Sequence, residues 1–78
     1  MYNSFNKELI SGEFSQKFVE VMKQKRNEEK LTQTELAKLT GISRSTLSKI
    51  EISKKHLVFE HAIKIARVLK IPLDWALE

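Results

Sequence analysis

Gly41 is one of only two glycines in a chain of 78 residues, and it stands between two short helical patterns in the stretch QTELAKLTGISRSTLSKIE, residues Gln33 to Glu51. Before it, Leu36, Ala37 and then Leu39 mark a helix that stops at the glycine, a residue suited to a left-handed C-terminal stop. After it, Ser43 is the predicted N-cap of a second helix, with Leu47 and Ile50 turned inward. Two helices joined by a turn of three or four residues that contains glycine match few recurrent units, and that restricts the folds open to the chain.

The flanking sequence supplies the rest of an all-α domain. Apolar residues at helical spacing, Phe14, Phe18, Val21 and Met22, followed by Leu31, predict a first helix from about Glu13 to about Glu29. Phe59, Ala62, Ile63, Ala66 and Leu69 place a fourth helix with one apolar face, and Pro72 opens a fifth, short segment. Five helices are therefore expected over residues 13–78. Residues 1–12 read as a partly ordered extension, with Tyr2, Phe5 and Leu9 at helical spacing and Gly12 as an interruption.

So small a domain buries only about 60% of its unfolded surface. It has no cysteine for a disulfide. His56 and His61 make a poor metal pair and are expected at the surface, because zinc needs three or four convergent ligands. Association with a second copy is the remaining source of stability. No run approaches the ~20 apolar residues of a membrane span, and no signal-peptide core precedes the domain, so no membrane association and a cytoplasmic location are expected. No glycine-rich phosphate loop and no serine–histidine–carboxylate set suggests an enzyme, and no cofactor or metal is expected.

Net charge is +4, and its distribution is uneven. Residues 33–55 hold Lys38, Arg44, Lys49, Lys54 and Lys55 against Glu35 and Glu51, whereas residues 56–78 balance at three and three. A polyanion partner would be met by such a footprint. Charge alone does not separate it from an ordinary solvated surface. The spacing in the third helix adds more. At 100° per residue Leu47 and Ile50 point one way, and Arg44, Ser45, Ser48 and Lys49 point the other. Short hydroxyls let a backbone come close to a groove, while Arg and Lys reach phosphates or guanine edges. The glycine and the hydroxyls thus fit a helix-turn-helix unit, whose second helix enters the major groove of double-stranded DNA.

From about Phe18 to Leu77 the chain resembles the phage-repressor and Cro-like regulators of the XRE family. LTQTELAKLTGISRSTLSKIE carries most of the likeness and HAIKIARVLKIPLDW adds to it. The resemblance implies a lambda-repressor-like fold of five helices. It also implies base contacts from Arg44, Ser45 and Lys49, and phosphate contacts from Gln33, Thr46 and the basic loop residues Lys54 and Lys55. Related repressors join the positions of Arg26 and Glu51 by a partly buried ion pair; the alternative is two solvated charges. Departures from the family pattern are Ser53 for a loop glycine, Leu57-Val58 for Pro-Ser, and Thr40 for an apolar residue, with Leu39 expected to fill that apolar role.

These features predict a sequence-specific transcriptional regulator acting as a homodimer on an operator of two half-sites; the resemblance suggests a repressor, and the residues leave an activator role open. A phage-type repressor, a restriction-modification controller and a self-regulating antitoxin all fit. The alternative is a module whose main task is to hold a partner protein, such as a toxin or another regulator, with DNA binding secondary. The dimer surface is expected toward the C-terminal end, where Ile71, Leu73, Trp75 and Leu77 crowd a short segment. Ile65 and Val68, outside the Phe59–Ile63–Ala66 stripe, are expected to join it, since exposed apolar clusters mark interfaces. Alternatively, Trp75 caps the monomer's own core.

Overall fold

The computed structural model describes residues 12–53 and 57–72, and every regular element among them is a helix. The helices are α1, Gly12–Glu28; α2, Gln33–Thr40; α3, Arg44–Ser53; and α4, Phe59–Leu69. The expected fifth helix after Pro72 lies outside the described residues, as do residues 1–11. Gly12 is the first residue of α1, one position before the expected start at about Glu13.

All four helices contribute to one core. Phe18, Val19 and Met22 come from α1, Leu36 from α2, Leu47 and Ile50 from α3, and Ala62, Ile65, Ala66 and Leu69 from α4, with Ile42, Leu57 and Ile71 from the connections. Each fully buried Leu, Ile or Phe stabilises the fold by about 1.5–3 kcal/mol. Phe14 stacks on Phe18, with ring centroids 5.9 Å apart, and extends the core along α1.

The apolar stripe of α4 differs from the expected one. Ile65 is fully buried and Ile71 nearly so, whereas Phe59 and Ile63 are only partly covered. Ile65 and Ile71 thus belong to the monomer's core and are withdrawn from the expected dimer surface. Val68 is partly buried and packs against that core. Leu73, Trp75 and Leu77 lie outside the described residues. His61 is also corrected: it is half-buried, and its Nδ1 is enclosed without a hydrogen-bond partner among the described residues. His56 is not described.

Two helices end without glycine. At the end of α1, Lys30 adopts φ 58°, its N–H donates to Asn27 O at 3.1 Å, and Leu31 N–H donates to Arg26 O at 3.0 Å. At the end of α4, Lys70 adopts φ 57° and ψ 46°, and the N–H groups of Lys70 and Ile71 both donate to Ala66 O. These are Schellman-type ends, in which the residue after the left-handed one folds back onto the last turn. That return buries Ile71 against α4.

Candidate nucleic-acid interface

The α2 helix starts with Thr32, whose hydroxyl accepts from Glu35 N–H at 3.1 Å while the Glu35 carboxylate accepts from Thr32 N–H at 2.8 Å. This capping box satisfies two amides that the helix leaves unpaired. The Thr32 backbone N–H first, and its side chain second, hold the Glu35 carboxyl below its ordinary value. The signal for it is present in the sequence as Thr-x-x-Glu, Thr32 to Glu35.

At its other end α2 stops at Gly41, with φ 77° and ψ 8°, whose N–H donates to Ala37 O at 2.8 Å. A β-carbon there would meet nothing within 4 Å, so the backbone angle and not the space calls for glycine. The residue before it corrects the sequence reading. Thr40 is buried, and Leu39 is 60% exposed. Thr40 follows Leu36 by four residues and so shares its inward face. Its hydroxyl donates to Leu36 O at 2.8 Å and accepts from Ile42 N–H at 3.2 Å. A polar group is therefore tolerated in the apolar position because both of its hydrogen-bonding functions are used, and it pins the turn.

Ser43 caps α3 as expected: its Oγ accepts from Thr46 N–H at 3.2 Å and donates to Thr46 Oγ1 at 2.8 Å. Ser45 Oγ lies 3.4 Å from Ser43 Oγ. Ile42, Leu47 and Ile50 are buried, which turns the other side of α3 outward. On that side Arg44, Ser45 and Lys49 are exposed, and Thr46 and Ser48 are half-buried. No acid occupies the first turn of α3. The positive end of the helix dipole and the Arg44 guanidinium therefore act in the same direction there. An α-helix is about 10–12 Å across with its side chains, which a major groove about 12 Å wide admits, and α3 can lie along it for about 15 Å.

Behind α3 lies a polar junction. Glu51 is 6% exposed and takes Arg26 Nε at 2.9 Å on one carboxylate oxygen. Its other oxygen takes Arg26 Nη2 at 3.1 Å and Gln33 Nε2 at 3.1 Å. Arg26 Nη1 donates to Leu31 O at 2.8 Å, so the guanidinium also fixes the α1–α2 turn. Two-pronged pairing of this kind is the strong form of carboxylate recognition. Arg26, Gln33 and Glu51 are therefore brought together on three different helices. The bond from Gln33 to Glu51 joins residues 18 apart in the chain, and no local pattern announces it. Lys54 and Lys55 lie outside the described residues.

Among the described residues no group of His, Asp or Glu could hold a metal ion, and no helix is long and apolar enough to cross a membrane. A family model described as Helix-turn-helix matches residues 22–75, more than half of the chain. No curated protein matches the chain, and no solved structure does either.

Proposed function

Because the chain belongs to the XRE-type helix-turn-helix family of DNA-binding regulators, we propose that it controls transcription by reading a two-half-site operator as a homodimer. The observation that carries this reading is the outward side of α3, where Arg44, Ser45 and Lys49 are exposed opposite the buried Leu47 and Ile50. Arg44 reads a base edge, bidentate to guanine where one is present. Ser45 and Ser48 permit close approach, and Lys49 reaches the base edges one turn further along. Thr46, Gln33, Lys54 and Lys55 face the phosphates that set the register.

One such unit covers too few base pairs to pick out an operator among the many competing sites of a genome. Two copies about 34 Å apart reach successive major grooves on one face of the duplex. The joining surface, in this reading, combines Val68 with Leu73, Trp75 and Leu77.

Selection of bound duplexes from a random pool tests the proposal. Enrichment of a two-fold-symmetric site supports it. Enrichment of a single unrepeated site removes the dimer, and binding without any preferred sequence removes the specific regulator.

A further inference from the structure

The α2–α3 unit is pinned at both ends, in two different ways. At the turn, the Thr40 hydroxyl links Leu36 O to Ile42 N–H. At the open end, the first residue of α2, Gln33, donates to Glu51 in the last part of α3. Leu36, Leu47 and Ile50 join the two helices in one core, but apolar contact is non-directional and sets their angle less sharply than a hydrogen bond does. The bond at the far end adds that directional constraint. Glu51 cannot itself yield, since the Arg26 guanidinium holds both of its oxygens from α1.

We propose that Gln33 is a specificity-determining brace: by bonding Glu51 it fixes the angle at which α3 stands to α2, and so the depth and register of α3 in the groove. This deepens the reading of α3 as the base-reading helix and rests on it. Only one N–H of the Gln33 carboxamide is used, and its other N–H and its carbonyl have no partner among the described residues. The brace therefore leaves the second N–H free to meet a phosphate. The two roles have different consequences. A phosphate contact strengthens every duplex alike, whereas the angle of α3 matters only where base edges must be met.

The test compares wild type with Gln33→Met, which keeps the side-chain length and removes both amide groups. Binding is measured to the selected operator and to a scrambled duplex of equal length, and thermal melting is followed alongside. The expected result is a melt close to wild type, because Arg26 still holds Glu51. The ratio of operator to scrambled affinity should fall about tenfold, the scale of one hydrogen bond to a charged group. An equal loss on both duplexes, or no loss on either, overturns the brace. Should Gln33→Met fail to fold, Gln33→Ser is read instead, since its hydroxyl is too short to reach Glu51 from α2. A ratio lowered to the same extent then supports the brace, and a wild-type ratio overturns it. A wild type that prefers no sequence would sink the reading of α3, not the brace by itself.

Discussion

Single positions carry the proposed base reading, and they decide how the helices end. Arg44 is exposed in the first turn of α3, where no acid competes for it. Arg44→Ala should relax the preference at one base pair in each half-site, at a cost of about 1–3 kcal/mol per contact. An unchanged preference in competition binding would remove Arg44 from the base-reading set. Lys70 gives a stability prediction of a different kind. Its left-handed backbone costs about 1–2 kcal/mol for an L-residue. Glycine would relieve that strain, but it loses about 0.5–1 kcal/mol in chain entropy and a further ~0.3–1 kcal/mol with the charge near a helix C-terminus. Lys70→Gly should therefore be close to neutral in a denaturant melt. Lys70→Val should cost about 1 kcal/mol or more, because a β-branched side chain is crowded at positive φ. Equal stability of Lys and Val at this position would show that α4 does not end in this way. Neither left-handed lysine was legible in the sequence, since lysine carries no signal for positive φ. Gly41 was legible because glycine does. Thr40 was misread because polarity outweighed its spacing from Leu36.

At the level of elements, α1, α2, α3 and α4 follow from apolar spacing and end signals, with boundaries displaced by a residue or so. The orientation of α4 was harder to read. Apolar residues at 59, 62, 63, 65, 66, 68 and 69 cover more than half of its circumference. Periodicity therefore left the centre of the stripe undetermined, and packing against α1 and α2 selected Ile65 over Ile63. The outward side of α3 was easier, because Leu47 and Ile50 are its unambiguous inward residues. The junction of α1, α2 and α3 supplies the prediction at this scale. Arg26→Ala or Glu51→Ala should each destabilise the fold by about 3–5 kcal/mol, since the surviving charge stays enclosed. The double mutant should lose less than the sum. Additive losses near zero would be those of exposed pairs, worth about 0–1 kcal/mol.

For the whole molecule, the core recruits Ile65 and Ile71, so the proposed contact between copies rests on Val68 with Leu73, Trp75 and Leu77. Leu73→Glu should give a folded monomer with sharply weaker operator binding, as followed by sedimentation and titration with the duplex. A wild type that sediments as a monomer at high micromolar concentration would sink the dimer. A last consequence comes from the enclosed Nδ1 of His61, and it concerns acid. Burial, opposed by Glu60 and assisted by Lys64, pushes the imidazole below its ordinary value of 6.5. Above that value His61 is neutral in both the folded and the unfolded chain, and folding is indifferent to pH at this site. As pH falls through 6.5 the unfolded chain takes up the proton first, so stability declines until the folded form is protonated too. His61→Leu should flatten that decline in melts between pH 7.5 and 5, roughly the range around an ordinary histidine. An identical slope in the mutant would place the acid sensitivity elsewhere. The acid sensitivity that His61 brings therefore acts from α4, through the stability of the fold, and not through the charge of the outward side of α3.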